Sequence, residues 1–252
     1  TGLTDLDLGS LHTHKVTDMT YMFARCSSIT SLDLTSLDTS EVTSMRGMFD
    51  NCSDLTNLDL TPLDTQNVTN MSGMFNSCES LTSLDLSPLN TKNVTDMSWI
   101  FSSCVGLSSI DLSPLDTNNV TDTSFMFYGC TGLKTLDLTP MNTSKVVTMQ
   151  QMFYDCSGLT SLDLTSLDTR NVMGMSGMFQ GCKSLINLDL SSLNTQKVTS
   201  MNSMFLDCDS LSTLSIGEKF AFVGTYYNLP SDTWYSSNGT AYISNGNSCT
   251  IP

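Results

Sequence analysis

Apolar residues return along this chain in two spacings that alternate within a repeat of 26 residues. In the copy at 81–106, LTSLDLSPLNTKNVTDMSWIFSSCVG, Leu84 and Leu86 alternate with polar neighbours, the pattern of a short strand buried on one face. Val94, Met97, Ile100, Phe101 and Cys104 then follow spacings of three and four, which predicts one face of a helix about three turns long. Between the two stands Thr91, in a column with Thr13, Thr39, Thr65, Thr117, Thr143, Thr169 and Thr195, where a hydroxyl caps a helix or satisfies turn amides. Nine such strand segments are legible, from Leu6–Leu8 to Leu214–Ile216, with eight helix segments between them.

Cysteines at 26, 52, 78, 104, 130, 156, 182 and 208 keep the same beat without a slip, so the chain is a stack of copies of one unit. The predicted fold is an α/β, right-handed leucine-rich-repeat solenoid of about eight strand–helix units, with a parallel sheet on one face and short helices on the other. The solenoid is expected over 1–216. Residues 217–252, with Tyr226, Tyr227, Pro230, Trp234, Tyr235 and Tyr242, break the pattern and are expected to form a cap or flanking segment, possibly β-rich. A chain that begins inside a repeat reads as a piece of a longer protein.

Charge narrows the function classes. A formal net charge of −15 leaves no basic stripe for phosphates, so nucleic acid is not an expected partner. No apolar run of about 18 residues is present, so no membrane insertion is expected in this segment. No serine–histidine pair stands outside the repeating context and there is no phosphate loop, so no enzyme activity and no catalytic residues are expected. A monomer is expected.

Three features carry candidate chemistry. The cysteines fall on the inward face and read as small buried hydrophobes with reduced thiols, since one Cys per 26 residues without His is not zinc-ligand spacing. Cys249 lies outside their ladder. Asp7, Asp33, Asp59, Asp85, Asp111, Asp137, Asp163 and Asp189 each stand between two inward leucines or their equivalents and therefore point outward from the sheet. Their mutual repulsion is relieved by flanking hydroxyls, solvent and raised carboxylate pKa values, or by calcium or a basic ligand docked on the stripe. Finally, the position held by Gly47, Gly73 and Gly177 becomes Trp99 and Phe125 in two successive copies, and Tyr128 and Tyr154 share a second column. These four predict either a contiguous aromatic binding patch or side chains filling grooves between helices.

The recurring LTSLDLSPLDT, NVTDMS and Met-Phe-x-x-Cys resemble the BspA-like leucine-rich-repeat surface proteins, in the branch with 26-residue repeats known from mycoplasmas and lactic-acid bacteria. The likeness covers 1–216, and the tail with Leu229-Pro230 and Trp234-Tyr235 is similar to the segment following such repeats. It implies a bacterial, extracellular, cell-surface protein that adheres to a protein or glycan ligand of a host or neighbouring cell, with no catalytic residues to carry over. Two further readings stay open: a spacer that displays another domain, and cation- or mineral-surface binding by the Asp ladder.

Overall fold

The computed structural model describes residues 2–235 and 239–247; Cys249 lies outside them. The repeat is realised as coils stacked in parallel register, joined by one-residue parallel bridges that run Asp18, Ser44, Asn70, Asp96, Asp122, Thr148, Gly174, Ser200. Inside the stack lie the leucines, valines, methionines, phenylalanines and cysteines of successive copies. Phe23, Phe49, Phe75, Phe101, Phe127, Phe153, Phe179 and Phe205 stack ring on ring, with centroids 5.6–6.0 Å apart and planes within 17° of parallel. Each such pair adds about 0.5–1.5 kcal/mol beyond its area burial.

The expected strand–helix unit is corrected by the backbone. Among the described residues no helix occurs; the segment read as one is a run of turns. The N–H groups of Met97, Trp99, Phe101 and Ser103 donate to carbonyls of Asp122, Ser124, Met126 and Tyr128 in the following coil, at 2.6–3.1 Å. Those of Ile100, Ser102 and Cys104 donate back to Met97, Trp99 and Phe101, at 2.9–3.4 Å. Alternate amides thus tie the coil to itself and to its neighbour, whereas an α-helix would spend every one on its own residue i−4.

Two columns of left-handed residues make this possible. One runs through Tyr21, Gly47, Gly73, Trp99, Phe125, Gln151, Gly177 and Ser203, with φ of 52–62°; the other runs through Arg25, Asn51, Ser77, Ser103, Gly129, Asp155, Gly181 and Asp207, with φ of 53–74°. They stand four residues apart, and each breaks any right-handed helix before it completes a turn.

The sheet is also smaller than the nine expected strands. Leucines alternate inward as predicted, with Leu32 and Leu34 buried around exposed Asp33. Parallel pairing on this face among the described residues is confined to β1 (Asn187–Leu190) and β2 (Thr213–Ile216). A hydroxyl ladder joins the coils nearby. Thr91 Oγ1 accepts from Asp116 N–H at 2.7 Å and donates to Asp116 C=O at 3.0 Å, and Thr39, Thr65, Thr117, Thr143 and Thr169 repeat the pair of bonds one coil apart. Of the two roles foreseen for this column, satisfying turn groups is the one it takes, since it has no helix to cap.

Beyond β2, Lys219, Tyr226 and Tyr227 supply carbonyls to the donors of Thr195, Ser203 and Phe205 in the last full coil. Phe222 meets the end of the phenylalanine stack edge-on at Phe205 and stacks on buried Tyr227. An antiparallel hairpin of β3 (Asp232–Tyr235) and β4 (Ala241–Ser244) follows.

Candidate binding surface

Because the left-handed column cannot bury its side chains within its own turn, it projects them onto the outer face. Three residues further on, a second column runs Ala24, Asp50, Asn76, Ser102, Tyr128, Tyr154, Gln180, Leu206, half-buried except for buried Ser102. The sequence-predicted aromatic residues meet where these two columns are bulky. Trp99 and Phe125 stack at 3.8 Å between centroids with planes 9° apart, and Tyr128 and Tyr154 stack at 4.5 Å, also 9° apart. Tyr128 bridges the pairs, 5.7 Å from Trp99 and 6.1 Å from Phe125. The four therefore form one cluster across three coils, on turns rather than helices.

Trp99 is 38% exposed, and the other three are half-buried. Burial first, then the neighbouring Tyr128 and acidic groups, pushes the Tyr154 phenol above its ordinary value. It therefore stays a neutral hydroxyl near pH 7. Trp99 and Phe125 have φ of 61° and 60°, a region that costs a bulky L-residue about 1–2 kcal/mol and that three copies give to glycine. Sequence reasoning missed Tyr21, which occupies the same column with φ 58°, is 48% exposed, and carries the Arg46 guanidinium 5.7 Å from its ring centroid. Its shared register with Trp99 was the available signal.

The aspartate column lies on the leucine-strand face, exposed as alternation requires. Each Oδ1 of Asp7, Asp33, Asp59, Asp85, Asp111, Asp137, Asp163 and Asp189 accepts the backbone N–H two residues on, at 2.8–3.0 Å. At Asp33, Asp85, Asp111, Asp137, Asp163 and Asp189 these bonds reverse the expected pKa direction. The hydroxyls of Thr35, Thr139 and Ser191, then the amides, hold Asp33, Asp137 and Asp189 below the ordinary value. The amides of Ser87, Ser113 and Thr165, then the hydroxyls, do the same for Asp85, Asp111 and Asp163. Repulsion from adjacent aspartates opposes this at Asp111, Asp137 and Asp189 without winning. Among the described residues no three His, Cys, Asp or Glu side chains converge as a metal site.

The cysteines are interior. Cys52, Cys78, Cys104, Cys130, Cys156, Cys182 and Cys208 are buried, and each Sγ donates to the carbonyl of a phenylalanine one coil earlier, at 3.0–3.2 Å. Burial raises all seven thiols, those of Cys52, Cys130 and Cys208 to about 12. They supply packing and hydrogen bonds rather than nucleophiles.

The family model described as "Mycoplasma protein of unknown function, DUF285" matches residues 3–109, 54–159 and 97–217. No curated protein matches the sequence. Among solved structures, a leucine-rich-repeat protein of T. pallidum shares 24% identity over 66% of this chain and 69% of its own, with a TM-score of 0.46. A leucine-rich-repeat protein of Eubacterium ventriosum shares 17% over 78% and 69%, with a TM-score of 0.43. A leucine-rich cell-surface protein of Faecalibacterium prausnitzii shares 18% over 80% and 76%, with a TM-score of 0.26.

Proposed function

The chain belongs to the DUF285 family of mycoplasma-type repeat proteins, and from that premise we propose that it is part of an extracellular bacterial surface adhesin whose turn face binds a protein or glycan of another cell. One observation carries the reading: Trp99, Phe125, Tyr128 and Tyr154 form a stacked, partly exposed cluster, two of them at a positive-φ position that three other copies give to glycine. Stacked aromatics with polar tips suit shallow recognition, and an extended repeat face favours several modest contacts over one deep pocket. The resemblance of the repeats to BspA-like surface proteins is what supports reading the chain as displayed outside the cell.

The aspartate stripe is a second surface under this proposal, offered to a basic ligand or to calcium. Its turns use Oδ1 of each carboxylate, and Oδ2 is the atom offered to the ligand.

The test is an array of glycans and extracellular-matrix proteins probed with the whole chain and with the Trp99→Ala/Phe125→Ala double variant. A wild-type hit that the variant loses, at unchanged secondary structure, supports the adhesin. No hit, or hits that the variant keeps, retires the aromatic face and leaves the spacer reading.

A further inference from the structure

A second feature of the turn face follows from how its side chains lean. In the left-handed column the side chains of Tyr21, Trp99 and Gln151 lie over the same position of the next coil. The Tyr21 ring covers Gly47 so closely that a Cβ there would collide with Cε1 and Cδ1, and Gln151 covers Gly177, with Cγ 2.8 Å from the equivalent point. Trp99 likewise lies on Phe125. Gly73 is different, because the residue placed to cover it is Gly47, which has no side chain. Nothing approaches its Cβ position closer than 3.8 Å. Two glycines in succession therefore open a gap one coil wide in an otherwise tiled surface.

That gap is a cleft of about 250 Å³. Tyr21 with Arg46 forms one wall, Trp99 the other, and Gly73 the floor. Asn76 donates its side-chain amide to Asp50 Oδ1 at 2.6 Å, which fixes the amide and leaves Asp50 Oδ2 and Asn76 Oδ1 as acceptors in a cleft that Arg46 also lines. Below the roughly 300–1,000 Å³ of pockets that enclose whole small molecules, the space suits a single ring. A lining of two aromatic rings, a guanidinium, a carboxylate and a carboxamide matches a ring with apolar C–H faces and a rim of hydroxyls.

The geometry points to this cleft as a subsite for one hexopyranose residue of a glycan, with the sugar seated over Gly73 between Tyr21 and Trp99. This rests on the turn face being the binding face, and it names the ligand class. Asp50 and Asn76 take the sugar hydroxyls, and the walls take its C–H faces. A polypeptide side chain in the same place is the competing outcome.

The probes are methyl β-glucopyranoside, methyl β-galactopyranoside and methyl N-acetyl-β-glucosaminide, titrated at millimolar concentration while the indole N–H resonance of Trp99 is followed. Trp234 serves as the internal control. Gly73→Phe is the plugging variant, since the column already accepts Trp99 and Phe125 at the same φ, and it leaves the Trp99–Phe125 stack in place. We expect at least one glycoside to shift Trp99 and Gly73→Phe to weaken it tenfold or more. Should Gly73→Phe lower the melting temperature, Tyr21→Ala, which alters an exposed wall, must weaken the same glycoside instead.

The subsite is overturned if no glycoside shifts Trp99, or if the variant that remains folded binds as wild type does. It is also overturned if Gly73→Phe abolishes only protein hits on the array. Array binding that survives Gly73→Phe but not Trp99→Ala/Phe125→Ala would keep the adhesin reading and remove the cleft from it.

Discussion

Cys104 donates its S–H to the carbonyl oxygen of Phe75, 3.1 Å away and one coil earlier, while the rings of Phe75 and Phe101 stack above it at 6.0 Å. The same carbonyl also accepts the N–H of Cys78 at 3.2 Å. Sulfur, backbone and ring columns are thus coupled at every coil junction. A thiol in this place is at once a filler of the right size and a donor to a carbonyl's second lone pair.

Thiolate formation is the first thing this arrangement resists. Burial lifts Cys52, Cys130 and Cys208 to about 12 in the fold, against about 8.5 when unfolded. A raised folded pKa means the contribution is present in full below about pH 8.5 and is lost as pH rises toward about 12. Native protein at pH 8 should leave the seven buried thiols unmodified by a maleimide while half-buried Cys26 reacts. Melting temperature should fall progressively above pH 9. Rapid modification of all eight ladder thiols in the native state would contradict the burial.

The hydroxyl ladder predicts a contrast between two threonines of one coil. Thr91→Val removes both the acceptor for Asp116 N–H and the donor to its carbonyl. Leaving that N–H unsatisfied beside a buried side chain should cost about 1–3 kcal/mol. Thr95 is exposed and donates to a carbonyl that already accepts its own N–H. Thr95→Val should stay within about 0.5 kcal/mol, and the chain has made that substitution itself at Val147. Urea unfolding of the two variants checks the ordering.

What was legible in the sequence was whatever depends on period alone. The repeat, the inward leucines, the exposed aspartates and the contiguity of Trp99, Phe125, Tyr128 and Tyr154 all follow from register. The helix did not, because successive turns closed by i→i−3 bonds bring Val94, Met97, Ile100, Phe101 and Cys104 to one side as readily as a helix does. Gly47, Gly73, Gly129, Gly177 and Gly181 were the contrary evidence, since all five stand inside predicted helices and all have positive φ. Gly47 followed by Gly73 also marked the cleft, but only the lean of Tyr21 onto the next coil reveals which glycine is left uncovered.

Acid should weaken the leucine-strand face. Hydrogen bonds hold Asp33, Asp85, Asp111, Asp137, Asp163 and Asp189 below their ordinary pKa. A depressed folded pKa contributes stability above the unfolded value of about 3.9 and loses it as pH falls further. Melting temperature should therefore decline below about pH 4. An Asp111→Asn/Asp137→Asn variant, which keeps the Oδ1 acceptors but does not titrate, should show a shallower decline between pH 5 and pH 2. Equal slopes for variant and wild type would place the acid sensitivity elsewhere.

The phenylalanine stack makes the strongest prediction about cooperativity. In a linear array each coil contacts only its neighbours, so stability is the sum of coil and junction contributions. Phe101 lies at the middle of the stack, fully buried between Phe75 and Phe127. Phe101→Ala should cost about 3–5 kcal/mol and damage two junctions at once. Coils on either side would then be coupled more weakly than they are internally. Unfolding followed by fluorescence, which reports Trp99 and Trp234, should separate from unfolding followed by circular dichroism, whereas wild type gives coincident curves. Phe23, with one ring partner instead of two, should cost less as Phe23→Ala and leave the curves coincident. If Phe101→Ala also unfolds in a single coincident transition, the coils are held together by the backbone and hydroxyl ladders, and the aromatic column is filler.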